Sequence, residues 1–422
     1  MYKLFVVWVV VVTNIPPAGS NDIDQGAIAL TLSAAETLLT SQNHDLAVSR
    51  RALAGAQADR LTAAHRPNPA LSLSTLSINP RSIGAGPLWE KSMDTALQIS
   101  QPIERGGKRE LRSAVADHNV LAASFELDEI QRQQKLLLRQ AYFDLRLAQE
   151  RVSISRETVM AFRRTLDAAN VRLKSGDIAS AEVSRISVDA LRSENDLRQN
   201  SADLERGRVA LAYLIGLETR AAAVEAIDSW PALVPIPDIF GNEVLDIRPD
   251  VRAAFERANA ARNSAQLAAA QRSRDVTVFA QFERFPGQVQ NNTIGFGVSV
   301  PLFLNYSYEG EIRRAESDRY AAQDNLERVR ALARAEIARA RTDLGSAHDR
   351  VDRFDGQLLA FARKAAEASE FAYKRGALGV MDLLDARRSL NAAQLDAAAA
   401  HADYAKAWAA WRAAGGDMAG QQ

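Results

Sequence analysis

The sequence contains no cysteine. That excludes disulfides, thiolate metal sites, a cysteine nucleophile and a lipidated N-terminal cysteine, so any membrane attachment must come from the fold itself. Net charge is also missing, because 52 basic residues balance 52 acidic ones. Without a global positive field, nucleic acid is not an expected partner. The few histidines, His44, His65, His118, His348 and His401, show no spacing suited to a shared metal ion. No Ser/His/Asp set or pair of acids in an evident cleft is present, so no catalytic residue, metal or cofactor is assigned and the chain does not read as an enzyme. Gly106-Gly107-Lys108 looks like the end of a phosphate loop, but the glycine such a loop needs five places before Gly107 is replaced by Pro102. Long apolar runs are lacking too. The one candidate, Leu4 to Val12, is about 9 residues, well short of the ~20 of a spanning helix. With Lys3 before it and Pro16, Pro17, Ala18 and Ser20 after it, residues 1–20 read as a secretory signal.

What the chain does have is a duplication. Ala63-Ala64-His65-Arg66 matches Ala269-Ala270-Gln271-Arg272, each followed by a strand-like run. Gln98-Ile99-Ser100-Gln101-Pro102-Ile103 matches Gly297-Val298-Ser299-Val300-Pro301-Leu302, and Leu173-Lys174-Ser175-Gly176 matches Tyr373-Lys374-Arg375-Gly376. Two repeats therefore share one order of elements: helix, two strands, very long helix, turn, helix. They are expected over residues 21–220 and 248–415. The first holds a β-hairpin at 70–101 and a helical hairpin turning at 176; the second, a β-hairpin at 275–303 and a turn at 376. A proline-bearing join at 221–247, with Trp230, Pro231, Pro235 and Pro237, separates them, and 416–422 is read as a flexible tail.

The long helices carry a coiled-coil period. Leu138, Ala141, Leu145, Ala148, Val152, Ser155, Val159, Phe162, Leu166, Ala169 and Leu173 follow alternating steps of three and four. Ile337, Ala340, Leu344, Ala347, Val351, Phe354, Leu358, Phe361, Ala365, Ala368 and Ala372 do the same, so a single seam is expected along each rod. From Arg109 to Lys174 such a rod is roughly 100 Å long. Gly176 and Gly376 interrupt it where a left-handed turn conformation is needed.

Four strand candidates alternate apolar with polar or small residues. They are residues 71–78, which start with Leu71 and Leu73 but lose phase at Leu76, Met93 to Ile99, Val276 to Phe282, and Ile294 to Leu302. Alternation fits tilted strands of a membrane barrel and equally a half-buried soluble sheet. Four strands cannot close a barrel, but identical chains could supply the missing partners; three chains would give twelve strands and room for a lumen.

These features resemble the TolC-like outer membrane factors of tripartite efflux systems, over about Leu32 to Gly415. The most telling are the duplicated order, the Gln101-Pro102-Ile103-Glu104-Arg105-Gly106-Gly107-Lys108-Arg109 junction, and Met381-Asp382-Leu383-Leu384-Asp385-Ala386 after the second turn. The junction is most similar to the branch serving cobalt, zinc and cadmium exporters. The resemblance implies a mainly α chain with a membrane β-barrel portion. It further implies a homotrimer with a twelve-stranded barrel in the outer-membrane lipid of a Gram-negative bacterium and an α-helical tunnel in the periplasm. A periplasmic adaptor and an inner-membrane pump of the RND type are the implied partners. The implied function is a passive export duct for small solutes, with heavy-metal cations suggested by that branch. A periplasmic adaptor or a coiled-coil scaffold is the alternative, although an adaptor would need β-rich domains flanking one hairpin.

Asp382 and Asp385, three apart at the start of a returning helix, lie on one face. They could simply compensate the helix dipole. The resemblance implies instead that three copies form two stacked carboxylate rings at the channel's constriction. It also suggests a tip-gating contact between Glu182 and Tyr373. The turn residues Lys174, Gly176, Lys374, Gly376 and Leu378 are the expected adaptor contact, and Leu378 stands where a basic residue would be needed for an ion pair between hairpins. Pro102 and Pro301 are expected to end paired strands and release the chain from barrel into tunnel.

Overall fold

The computed structural model describes residues 27–76, 78, 93–235, 243–285 and 291–416. The signal at 1–20, Pro237 and residues 417–422 of the tail lie outside the described residues.

The chain starts with a short strand β1 (Ile28–Leu30), then α1 (Leu32–Gln42) and α2 (His44–Ala64). The strands β2 (Ala70–Leu76) and β3 (Asp94–Ile103) lead into α3 (Lys108–Lys174), whose 67 residues span about 100 Å. The returning helix α4 (Ser180–Leu214), a 3-10 turn (Glu218–Ala223) and β4 (Val224–Ala226) complete the first unit. The second unit repeats the order: α5 (Glu243–Ile247), α6 (Pro249–Ala270), β5 (Val276–Phe285), β6 (Asn291–Ser299), α7 (Glu309–Arg353), α8 (Leu359–Lys374) and α9 (Val380–Trp411). Among the described residues no helix is long and apolar enough to cross a membrane.

The four long strands form one antiparallel sheet in the order β2-β3-β5-β6. The registers stack Leu73, Leu97, Phe282 and Ile294 in one row, and Leu71, Ile99, Ala280 and Phe296 in the next. Period-2 alternation thus gathers most of the large apolar side chains on one face, Phe279 being an exception. That face is uncovered, with Leu73 71% and Phe296 82% exposed. The opposite face carries Ser72, Gln98, Gln281 and Gly295, then Ser74, Ala96, Glu283 and Thr293. On this side the Phe279 ring lies over Gly297, leaving no room there for a Cβ. A soluble sheet would cover its apolar face with helices; among the described residues nothing covers this one, and β2 and β6 are both open edges.

The two prolines are not equivalent. Pro102 does not end its strand: it pairs with Thr277 one residue before the end of β3. The β2 pairing has already stopped at Ser100, so the missing N–H falls where β3 keeps a single neighbour. Pro301 lies two residues beyond β6, which stops at Ser299 short of the expected Leu302. After β3, Gly106 and Gly107 take positive φ of 74° and 70°, and Gly106 packs so tightly on Ser273 that no side chain fits. The apparent phosphate motif is therefore a turn. Lys108 beyond it is buried and donates to Asp275 at 2.9 Å, which fixes the junction of one unit to that of the other.

The first seam runs unbroken along α3, where Val152, Ser155, Val159, Phe162 and Ala169 are all buried. The second does not. Ala340, Leu344, Ala347 and Val351 pack on Ala400, Tyr404 and Trp411 of α9, but a π turn at Phe354–Leu358 then interrupts the rod. From its last residue onward the expected seam residues Leu358, Phe361, Ala365 and Ala368 are exposed, and Ala366 is buried in their place. The extra residue of a π turn rotates the rest of the helix by about 100°. Its origin lies in the repeat itself. From Pro102 to Gly176 the chain takes seventy-four steps, and from Pro301 to Gly376 seventy-five. The π turn absorbs the additional residue and keeps the two turns level.

Two features tie the molecule together near the middle of the rods. In the first, β1 and β4 pair in parallel, Ile28 with Val224 and Leu30 with Ala226, over a core of Leu138, Tyr142, Leu211 and Ile215. The buried Tyr142 hydroxyl donates to Leu30 O at 2.9 Å and accepts from Asp228 N at 3.1 Å, and burial pushes its pKa up to about 12. In the second, Arg248 is fully buried between Asp250 and Glu336, each 2.8 Å away, and donates to Ala414 O at 2.8 Å. Arg132 reinforces it from α3, reaching Glu129 at 2.7 Å, Glu336 at 3.1 Å and Ala413 O at 3.0 Å.

Candidate functional site at the hairpin tips

Each helical hairpin reverses through the same local solution. At the end of α3, Gly176 has φ 81°; its N–H donates to Leu173 O, and Asp177 N–H to Arg172 O. At the end of α8, Gly376 has φ 74°, with Gly376 N–H donating to Tyr373 O and Ala377 N–H to Ala372 O. Both satisfy the last helical carbonyls through a left-handed residue, which is why glycine stands at both places. Lys174, Gly176, Lys374 and Gly376 are exposed at the two tips, while Leu378 is half-buried. Lys374 is held back by Glu370 at 2.9 Å, and that hydrogen bond draws the Glu370 carboxyl below its ordinary value.

The tips share one apolar cluster: Phe162 and Ala169 of α3, Ile186 and Ala190 of α4, and Val380 and Leu384 of α9, with Tyr373 of α8 against it. The Tyr373 ring lies under the Arg172 guanidinium at 5.4 Å, and its buried hydroxyl has no hydrogen-bond partner among the described residues. The expected contact between Tyr373 and Glu182 is therefore not made within one chain, because the ring is turned into the apolar cluster. Glu182 sits half-buried in the first turn of α4, in the place that Asp382 takes in α9.

Asp382 and Asp385 are both exposed, in the first and second turns of α9. They differ in surroundings. Asp385 accepts from Arg388 at 3.0 Å, and the same guanidinium makes two further bonds, of 2.8 and 2.7 Å, to Asp189 of α4. Asp189 is only 5% exposed. No ion pair is formed at Leu378, but one links the hairpins ten residues on, and sequence reasoning missed it. Arg387 adds a second link, donating to Ala161 O at 2.7 Å and Thr165 Oγ1 at 2.6 Å of α3 and pairing with Glu370 at 3.3 Å. Farther up, Thr158 donates to Asn391 at 2.9 Å. Among the described residues no cluster of three or more carboxylate or imidazole groups could hold a metal ion.

The geometry is a bundle of two helical hairpins below a sheet whose apolar face is bare. The family model for outer membrane efflux proteins matches residues 37–217 and 241–417, well over half of the chain. The cobalt-zinc-cadmium resistance protein CzcC of Cupriavidus metallidurans is 27% identical over 376 residues, covering 88% of this chain and 86% of that one. The cation efflux system protein CusC of Escherichia coli K12 is 23% identical over 317 residues, or 72% and 67% of the two chains. In structure, the CmeC outer membrane channel of Campylobacter jejuni superposes with a TM-score of 0.79 at 16% identity, over 91% of this chain and 85% of that one. The outer membrane protein VceC of Vibrio cholerae gives 0.75 at 22%, over 91% and 96%. The chain therefore belongs to the outer membrane efflux protein family and is an outer-membrane channel, its helical part in the periplasm.

Proposed function

We propose that three copies join their sheets edge to edge, β6 of one against β2 of the next, into a twelve-stranded barrel. The bare apolar face then meets outer-membrane lipid, and the helical hairpins continue the pore as a tunnel. One observation carries this reading: the rows Leu73-Leu97-Phe282-Ile294 and Leu71-Ile99-Ala280-Phe296 form an apolar face that nothing among the described residues covers, on a sheet whose two edges find no partner among them. The opposite face, mostly serine, glutamine, threonine, glutamate and glycine with Phe279 among them, suits a water-filled lumen.

In this arrangement Asp382 and Asp385 make two carboxylate rings at the narrow end, and cations are the favoured cargo. The Asp385–Arg388–Asp189 chain holds the second hairpin against the first, so the tip rests closed until a partner parts them. Tyr373 and Glu182 are the proposed gating contact across that boundary, made once the ring moves. The exposed turn residues Lys174, Gly176, Lys374 and Gly376, with Leu378 behind them, form the surface for a periplasmic adaptor, through which an inner-membrane pump supplies the energy. Heavy-metal cations are the proposed cargo class, a reading supported by the likeness to CzcC and CusC. Planar-bilayer recording of the detergent-purified protein tests the duct: discrete cation-preferring conductance steps are expected. Absence of channels would remove it.

A further inference from the structure

The π turn does more than absorb a residue. It separates an apolar stripe from the helix that would otherwise cover it. Before the turn, Ala340, Leu344, Ala347 and Val351 are buried against α9. From its last residue the same heptad continues in sequence as Leu358, Phe361, Ala365 and Ala368, with Phe371 beside it, yet this stripe faces away from α9. Phe361 is 66% and Phe371 63% exposed. Of the four helices of one chain at this end, α3 packs closely on both α4 and α9 and α8 packs closely on α9, while α4 and α8 do not pack closely on each other. That leaves α4 and α8 as the flanks. On α4 a second apolar pair is exposed, Val188 and Leu191, the latter 61%.

The two stripes stand at one height. Phe361 lies fifteen residues before Gly376, and Leu191 fifteen after Gly176. Ala365 lies eleven before its glycine and Val188 twelve after. One helix runs toward the tip and the other away from it, so the two stripes meet as an antiparallel pair when copies stand side by side. Lipid is not the occupant, because the 45 residues of α7 alone place the stripe about 70 Å from the strands.

We infer that the π turn at Phe354–Leu358 redirects the second-repeat heptad from its own α9 to α4 of a neighbouring copy, with Phe361 seated on Leu191. This inference rests on the trimer proposed above. The first repeat needs no such turn because α3 lies between two helices of its own chain. Asp355 within the π turn is held to His401 of α9 at 3.1 Å, so the redirection point is anchored in the chain that carries it.

The absence of native cysteine makes the test clean. In Leu191→Cys/Phe361→Cys, mild oxidation of the detergent-solubilised protein is expected to give covalent dimers and trimers, while either single variant stays monomeric on a denaturing gel. Deleting Gly356 in the same background should turn α8 by about 100° and reduce that cross-link at least tenfold. The oligomer mass is measured in parallel. Trimer mass without an intermolecular cross-link, or with an intrachain one only, overturns the inference and leaves the stripe to another partner such as a helical adaptor. A cross-link that survives loss of Gly356 overturns the role given to the π turn. A monomer mass overturns the trimer and the inference with it.

Discussion

Replacing Arg388 by alanine should loosen the tip more than removing the whole ion pair. The wild-type guanidinium makes two bonds to Asp189, whose carboxylate is nearly inaccessible to water, and one to exposed Asp385. In Arg388→Ala the Asp189 carboxylate stays buried with its partner gone. Stranding a fully buried charge costs about 3–5 kcal/mol. The Arg388 side chain is 46% exposed, so water screens the pair, and about 2 kcal/mol is the proper scale. At 1.4 kcal/mol per factor of ten, that is an opening equilibrium shifted about 30-fold. Hydrogen exchange of the α4 amides around Asp189 reads the shift, and open probability in bilayers reads its consequence. The double variant Asp189→Ala/Arg388→Ala strands no charge and should recover most of the effect. If Arg388→Ala exchanges no faster than the double variant, the buried carboxylate is not what Arg388 neutralises and the reasoning fails.

Three further outcomes are expected. Asp382→Ala should raise single-channel conductance and weaken cation preference more than Asp385→Ala, since Arg388 already offsets Asp385; equal effects would discount that pairing. Acid should weaken the middle of the rods. Burial pushes the Asp250 carboxyl up, but its hydrogen bonds from Arg248 and the Arg248 charge bring it below its ordinary value. A depressed carboxylate contributes stability that is present above its unfolded pKa and lost as pH falls through the folded one. Thermal stability should therefore drop below the ordinary aspartate range, and Asp250→Asn should flatten that drop. Gly376→Ala should lower the stability of the second hairpin by about 1 kcal/mol, because a Cβ is disfavoured at φ 74°; an unchanged hydrogen-exchange profile at the tip would show that the turn can relax.

Much of this architecture was legible because it rests on local rules. Period-2 alternation marked three of the four strands clearly and the first only until it lost phase at Leu76, and Gly176 and Gly376 marked the reversals, since those features need no knowledge of distant partners. What escaped depends on contacts between distant residues. The pairing of Arg388 with Asp189 joins positions about 200 apart, and nothing in either neighbourhood announces the other. Arg248, at the start of α6, looks like an ordinary surface arginine until Glu336 and the Ala414 carbonyl close over it. The strands β1 and β4 have three residues each, too few for alternation to show. The π turn had a signal that went unread: the heptads and prolines of the two repeats are offset by 199 residues, the turn glycines by 200. One residue had to be accommodated between them.

The central claim is that the four-stranded sheet is one third of a closed wall. Leu73 and Val298 lie on the apolar faces of the two edge strands, both largely exposed in a single chain. In Leu73→Cys/Val298→Cys, oxidation in membranes should yield a covalent ladder that stops at three protomers. Cross-linking within one chain, or a ladder ending at any other number, would contradict the account.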